Sequence, residues 1–348
     1  MCGENAARII KQREELFDAV KGIGIFLVVA GHLLSGASIA QEFIAACHMP
    51  VFFFVSGYFF IGSCPKYSAG AFAGRKARTL LVPYFCWSLA SLLMNGIPYI
   101  INCDFSGLYE LLKEIFIYAR SVWFLAMLFF TDMFCFIVKK WSEHIKCSRY
   151  LLAVGCWILF VFMVTKTGCW RVISIYKFEW LFPYFLIGSA CQEMGLLEKL
   201  KKHSMRIWPA FLWGGVYLII LMGVYHQGSA YVEFYGGFQL DICHIGYYLV
   251  FYIEGCVGIM LVFMAAEMNR HVRRYAAKAG RYSLDVYVLH MFFVKIMQAV
   301  SGRFEDCMVY YNYIIVPIYS LAVTVVIVYT SEHMLRKSVL YRVSIGGR

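Results

Sequence analysis

The apolar stretch Gly22–Leu34 (GIGIFLVVAGHLL) decides the fold class, because it forms most of a membrane-spanning helix and carries one ionisable residue, His32. A second apolar stretch, His48–Tyr58 (HMPVFFFVSGY), follows closely and begins with another histidine. Ionisable side chains at membrane depth are costly, so those that occur are candidates for function. We therefore expect His32 to lie buried within a helix assembly that reactants can reach.

The composition is typical of an integral membrane protein. Of 348 residues, 61% are hydrophobic and 15% are charged, whereas soluble domains are about 25% charged. Continuous apolar runs such as Leu151–Val164 lack the alternation of an outer-membrane barrel. The sequence predicts an all-α, polytopic membrane helical bundle.

About ten transmembrane helices are predicted, since roughly 20 apolar residues cross a bilayer. The second and sixth are short enough to tilt or to be partly re-entrant. The predicted spans are 21–39, 46–62, 80–101, 122–138, 150–166, 180–194, 207–225, 243–266, 283–301 and 311–331.

Lys and Arg residues concentrate in alternate loops and in both terminal segments, which predicts that both termini are cytoplasmic. The same distribution explains the net charge of +11 and argues against nucleic acid as a partner. We divide the chain into a cytoplasmic N-terminal segment 1–20, a membrane domain 21–331 and a cytoplasmic basic tail 332–348. No signal peptide is recognisable, so the first apolar segment is expected to be a retained span.

The 13 cysteines form no pair or Cys/His cluster with zinc spacing, so no metal is expected. Most are interpreted as small buried hydrophobes. A disulfide remains open among the cysteines in or beside predicted external loops, which are Cys47, Cys103, Cys169, Cys243 and Cys307.

Several motifs resemble those of a known family. Asp18-x-x-Lys21-Gly22, then His32, then the segment His48–Tyr58 together resemble the opening of the acyltransferase family 3 proteins, closest to the fucose 4-O-acetylase-like subgroup. These are integral-membrane enzymes that O-acylate cell-envelope sugars. The resemblance covers about residues 16–330. Its further matches are Arg75-x-x-Arg78 followed by Leu81–Tyr84, Trp123–Leu125, and Gly280-x-x-Ser283 with Tyr287 and His290.

The resemblance implies a multi-pass protein of the bacterial cytoplasmic membrane. It would move an acyl group, most simply acetyl, from cytoplasmic acyl-CoA to a hydroxyl of an envelope carbohydrate, exopolysaccharide or lipid-linked glycan. The family assigns the general base to His32, and an imidazole with a reference pKa of about 6.5 suits that role. His48 would orient the acceptor or donate to the oxyanion. From the residues alone, a structural role is the alternative to a catalytic role for each of the two histidines.

Donor binding is expected from basic side chains. Lys21 and His32 are eleven residues apart, so they lie about 20° from each other around a helix and about 16 Å apart along it. That spacing suits an acyl-CoA with its phosphates outside and its thioester deep. By resemblance, Arg75 and Arg78 hold those phosphates, and topogenic charge is the alternative.

Further site-lining residues are suggested by the same resemblance, with helix packing or interfacial anchoring as the alternative roles. They are Asp18, Ser56, Tyr58, Trp123, Ser283 and His290.

Two other functions stay open at this point. One is a transporter or exporter of polysaccharide or acyl groups, for which inverted repeats and broken helices would be typical. The other is a membrane sensor resembling the membrane half of serine-racemase resistance proteins. The expected partners are acyl-CoA, a glycan and membrane lipids, while the acceptor, acyl length and oligomeric state are not readable from the sequence.

Overall fold

The computed structural model describes residues 2–34, 39–63, 68–167, 172, 174–197, 214 and 242–347, and throughout these ranges the regular structure is helical. Fourteen α-helices have defined bounds there. They are α1 (Cys2–Leu33), α2 (Ile39–Ser63), α3 (Ala69–Lys76), α4 (Val82–Ile101), α5 (Phe105–Leu112), α6 (Trp123–Ile145), α7 (Arg149–Thr167), α8 (Tyr176–Glu193), α9 (Ile242–Met268), α10 (Arg270–Arg281), α11 (Ser283–Ser301), α12 (Met308–Tyr310), α13 (Val316–His333) and α14 (Val339–Ser344).

Short segments of other helix types interrupt or extend these helices. Three are π-helical, Ala77–Leu81, Lys113–Ile117 and Tyr311–Ile315. Two are 3-10 helices, Gly302–Cys307 and Leu335–Lys337. Because π segments inside α-helices are frequent at functional sites, the first of them, which contains Arg78, bears on the candidate site.

The prediction of an all-α membrane protein is confirmed. In the described part of the chain, six helical stretches are long and apolar enough to cross a membrane: Glu14–Leu33, Phe43–Ser63, Ala69–Ile101, Phe251–Met268, Ser283–Ser301 and Met308–Lys337. Apart from residue 214, the predicted span 207–225 lies outside the described residues. The total of ten spans and the cytoplasmic termini stay predictions.

Two predicted span boundaries differ from the observed helices. The first span was expected to run to residue 39, but α1 ends at Leu33. The second was expected to be short, but α2 has 25 residues and continues through Pro50. Pro50 is tolerated inside the helix because neighbouring helices can stabilise the freed backbone groups in a membrane protein.

The chain divides into two compact units. One comprises 1–58, 187–233 and 239–334, and the other comprises 59–186, 234–238 and 335–348. The boundary passes through α2 and α8. We call them the first and the second unit and describe each by itself.

The first unit is organised around α1, which contacts α9, α10, α11 and α13. Its closest approach is at two glycines, since a Cβ at Gly22 would lie 1.9 Å from the carbonyl oxygen of Ala276. Reciprocally, a Cβ at Gly280 would lie 1.7 Å from the carbonyl oxygen of Asp18. Such small-residue contacts let helix backbones pack closely in membrane proteins, where the hydrophobic effect between helices is weak.

The second unit has an aromatic core and an apolar outer surface. The rings of Phe72 and Phe136 stack with centroids 4.7 Å apart, and α6 buries Leu125 and Met127. In contrast, α4 exposes a row of large apolar side chains that includes Leu89, Leu93, Ile97 and Ile100. An exposed apolar helix face of this kind is suited to contact with lipid.

The C-terminal segment belongs to the second unit and packs against other residues of that unit. Ile345 is buried, and the ring of Tyr341 lies 6.3 Å from that of Trp87. Gly346 and Gly347 have positive φ angles of 78° and 73°. A Cβ at Gly346 would lie 2.6 Å from the carbonyl oxygen of Arg78, so this close approach requires glycine.

Candidate functional site

Two histidines that are far apart in the sequence meet in the first unit. The ring centroids of His32, on α1, and His290, on α11, are 5.1 Å apart with the planes tilted by 40°. Gly22 precedes His32 by ten residues, Gly280 precedes His290 by ten residues, and Gly22 also contacts Gly280. The early and late motifs therefore run side by side, parallel and in register, along one line of contact.

His32 lies in the last turn of α1 and its side chain is exposed. The expectation of a buried imidazole in the middle of the span was wrong, because α1 ends one residue later, at Leu33. The hydroxyl of Tyr311 donates to the carbonyl oxygen of Leu33 over 3.0 Å and satisfies one of the orphan carbonyls of this helix end. His32 is consequently held at a fixed helix terminus, with its side chain exposed.

His290 is 2% exposed and has a defined tautomer. Its Nδ1 lies 2.7 Å from the carbonyl oxygen of Tyr287 and 3.1 Å from that of Val286. A carbonyl oxygen only accepts, so Nδ1 carries the hydrogen and Nε2 holds the lone pair. Nε2 is buried and makes no hydrogen bond to any residue that the structure describes.

His48 is half-buried on α2, next to the same end of α1. Its Nδ1 donates to the carbonyl oxygen of Ile44, one turn earlier, so its Nε2 also holds a lone pair. Ile44 contacts α1 at Gly31, where a Cβ would lie 2.9 Å from Ile44 Cγ2. The contact between Gly31 and Ile44 thus brings the turns that carry His32 and His48 to neighbouring positions.

The remaining predicted residues of the first unit lie along the same helices. Lys21 Nζ pairs with Asp18 Oδ1 at 2.7 Å, and both side chains are partly exposed. The ring of Tyr58 is buried 4.4 Å from that of Phe17. Ser56 is half-buried on α2, and Ser283 begins α11, three residues after Gly280.

Arg75 and Arg78 belong to the second unit, and both side chains are exposed. Arg75 is in the last turn of α3, and Arg78 lies in the π-helical segment that follows it. Between them, Lys76 pairs with Asp132 of α6 at 2.8 Å, and the Asp132 side chain is fully buried. Lys76 therefore anchors the segment to α6, while the two arginines face outward.

Asp132 was missed by the sequence reasoning, although it could have been found. It is the one acidic residue in the apolar run Trp123–Val138, and an ionisable residue in a predicted span has to be paired. Its partner could not be read from the sequence, because Lys76 looks like any other basic residue of a cytoplasmic loop.

Trp123 begins α6 and has a partner that the sequence reasoning also missed. Nζ of Lys177, on α8, lies 3.6 Å from the centre of the Trp123 ring. A lysine over an indole face is an attractive cation–π contact. Trp123 therefore belongs to the predicted family motif and also makes a cation–π contact with Lys177.

The described cysteines and possible metal ligands can be compared with the predictions. Cys47, Cys103 and Cys307 carry free thiols, whereas Cys169 lies outside the described residues. In the ranges where side chains are described, no group of three or more His, Cys, Asp or Glu residues is placed to hold a metal ion.

Comparison with known proteins supports an acyltransferase. The sequence model of the family described as "Acyltransferase domain" matches residues 15–332. The nodulation protein NolL of Sinorhizobium fredii (strain NBRC 101917 / NGR234) is 25% identical over 187 residues, which cover 51% of this chain and 48% of that protein. The chain thus spans about half the length of this curated relative. No solved structure matches the chain.

Proposed function

Because the chain belongs to this acyltransferase family, we propose that it transfers an acyl group, most simply acetyl, from cytoplasmic acyl-CoA to a hydroxyl of an envelope carbohydrate or lipid-linked glycan. The family match favours transfer over the export of polysaccharide or acyl groups. The proposed setting is the bacterial cytoplasmic membrane.

The observation that carries this proposal is the pairing of His32 with His290. The two rings come from the two ends of the chain, and their centroids are 5.1 Å apart. An accessible imidazole beside a buried imidazole with a free lone pair is the arrangement of a base and a residue that orients it. A rotation of the His32 ring would let its N–H donate to Nε2 of His290, which leaves the other nitrogen of His32 to accept a proton.

In the proposed reaction, His32 removes the proton from the acceptor hydroxyl. The hydroxyl oxygen then attacks the thioester carbonyl and forms the new C–O bond. The C–S bond breaks, and the thiolate of CoA takes up the proton from His32. A two-step relay through an acyl-histidine would give the same products.

His48 is assigned to the acceptor. Its Nδ1 donates to Ile44, so in the neutral ring Nε2 is the acceptor nitrogen, and an acceptor suits a hydroxyl of the glycan. This tautomer favours orientation of the sugar over donation to an oxyanion, the two roles that the sequence left open.

The donor phosphates are assigned to Arg75 and Arg78. Both guanidinium groups are exposed, and a guanidinium fork matches a phosphate in two hydrogen bonds. Lys76 is excluded from this role because Asp132 holds its ammonium. Lys21 would contribute when its pair with Asp18 opens.

The test is transfer of labelled acetyl from acetyl-CoA to glycan in membranes that contain the protein. His32→Ala is expected to lower transfer by at least a hundredfold, the usual contribution of a general base being about 10²–10⁴-fold. His144→Ala is the matched control, because His144 is exposed in the last turn of α6. Full transfer by the His32 variant would remove the proposed base.

A further inference from the structure

A lysine lies over two aromatic rings at the start of α8. Nζ of Lys177 is 3.6 Å from the centre of the Trp123 ring and 5.6 Å from that of Tyr176. Trp123 is the first residue of α6 and Tyr176 the first of α8, so two helix starts meet here. We call Lys177, Trp123, Tyr176 and the neighbouring Arg120 the Lys177 cluster.

The charge of Lys177 is not balanced by any carboxylate that the structure describes. Among the residues that the structure describes, no carboxylate lies within ion-pair distance of its Nζ. Glu114 pairs with Arg120, at 2.7 Å from Nε, and so compensates the other cation of the cluster. Glu179 is two residues from Lys177 on the same helix and therefore points to a different side.

The pKa of Lys177 reflects the same imbalance. The pKa of Lys177 is lowered from 10.5 to about 7, mainly because the amine is buried and secondly because Arg120 is positively charged. Lys177 is the second residue of α8 and precedes the predicted span 180–194, so it lies outside that span. A neighbouring anion would restore the charged form of the amine.

The backbone around the cluster is held in an unusual conformation. Ala119 and Ser174 have φ angles of 53° and 54°, in the left-handed region that disfavours side chains. Both residues are buried, and the Ser174 hydroxyl donates to the carbonyl oxygen of Tyr118 over 2.8 Å. This bond joins the connection before α6, which contains Arg120, to the connection before α8.

We propose that Lys177, together with Arg120 and Trp123, binds an oxyanion, a carboxylate or a phosphate, that is carried by the glycan acceptor. The inference rests on the proposed acyltransferase function and implies that the acceptor glycan carries a negative charge. An ammonium has three N–H donors, and no carboxylate that the structure describes pairs with the ammonium of Lys177. Arg120 uses Nε for Glu114, and its terminal nitrogens make no contact within the described ranges, so they are available for the same anion.

The position of the cluster agrees with this substrate. The connections before α6 and before α8 are among those predicted to be external, opposite the basic cytoplasmic loops. The proposed reaction also places the glycan on that side. Acidic sugars and sugar phosphates supply the oxyanion, but so does the phosphate of a lipid headgroup, and the experiment separates these sources.

The test uses the full chain in phosphatidylcholine nanodiscs, with tryptophan fluorescence as the readout. Glucuronate or glucose 1-phosphate is expected to change the emission at pH 6, whereas glucose leaves it unchanged. The chain has eight tryptophans, so Trp123→Phe is used to identify the signal and should abolish it. Lys177→Gln should weaken binding about tenfold or more, the usual effect of losing a charge-assisted hydrogen bond, and Lys177→Arg should retain it.

Dependence on pH supplies a second readout. A lysine with a lowered pKa is charged below that pKa and neutral above it, so binding should weaken between pH 6 and pH 9. Lys177→Arg should bind equally at both values, because a guanidinium stays charged. The other charged or titratable groups at this site are Arg120, Glu114 and Tyr176.

Lys113→Gln is the matched control. The ammonium of Lys113 also lies over an aromatic ring, at 4.4 Å from the centre of Tyr109, but it pairs with Glu110 at 2.6 Å. Its removal should leave binding unchanged. The proposal is overturned if neither acidic sugar changes the emission, or if Lys177→Gln binds as tightly as the parent chain. It is also overturned if nanodiscs with phosphatidylglycerol give the response and the acidic sugars do not.

The two proposals fail in different ways. His32→Ala should lose transfer of labelled acetyl and still bind glucuronate or glucose 1-phosphate. Anion binding without any transfer by the parent chain would contradict the proposed function alone. Transfer without anion binding would contradict the Lys177 cluster alone.

Discussion

At the scale of single residues, the environment of His290 distinguishes a reactive pair from two histidines that merely share a helix bundle. A buried imidazole nitrogen without a hydrogen-bond partner is energetically costly, so its presence in a folded protein calls for an explanation. The nitrogen of His290 that lacks a partner is the one without a hydrogen, and the ring of His32 is its neighbour. We therefore propose that His290 positions His32.

His290→Phe should lower kcat about tenfold to a hundredfold with little change in KM for acetyl-CoA, because the base would lose its orientation and the donor site would not. His290→Gln should restore most of the turnover, since its amide oxygen can accept the same hydrogen bond. Both are measured by labelled-acetyl transfer, with thermal unfolding to show equal stability. Equal rates for the Phe and Gln variants would argue that His290 only fills space.

At the scale of secondary-structure elements, the register between α1 and the α10–α11 segment brings the two histidines together. That register depends on Gly22 and Gly280, where the two backbones touch. Any side chain there would push the helices apart, and every later contact along the line would shift with them. The proposed pair of His32 and His290 thus depends on two residues that carry no functional group.

Gly22→Ala should destabilise the protein by about 1–3 kcal/mol, the usual cost of overpacking, and should reduce transfer as well. Gly155→Ala is the control, because a Cβ at Gly155 on α7 meets nothing within 4 Å. That change should be neutral or stabilising, since alanine favours a helix over glycine. Thermal unfolding in detergent and acetyl transfer are the two measurements, and equal stability of the two variants would contradict the packing argument.

At the scale of the whole molecule, the function requires a defined orientation in the membrane. The predicted topology places Cys103 and Cys307 outside and Cys147 inside, and all three thiols are free and exposed. They report the orientation without any substitution. In the same predicted orientation, the arginines proposed to bind acyl-CoA would lie on the cytoplasmic side and the Lys177 cluster on the side proposed for the glycan.

A membrane-impermeant maleimide applied to spheroplasts should modify Cys103 and Cys307 and leave Cys147 unmodified, as read by mass spectrometry of the peptides. Opening the membranes should make Cys147 reactive, which shows that its protection came from the bilayer. Labelling of Cys147 in sealed spheroplasts would reverse the topology and, with it, the side on which each substrate binds.

The sequence by itself determined the helical membrane architecture and the family, because hydrophobic runs and short motifs are local properties of the chain. It also identified both histidines of the pair, His32 through its apolar surroundings and His290 through the late motif. Only the tertiary structure decided that His32 is exposed at a helix end, that His290 is its neighbour, that Asp132 holds Lys76 and that Lys177 lies over Trp123. These contacts join distant parts of the chain, and they depend on where backbones pack closely, which no local pattern of residue types specifies.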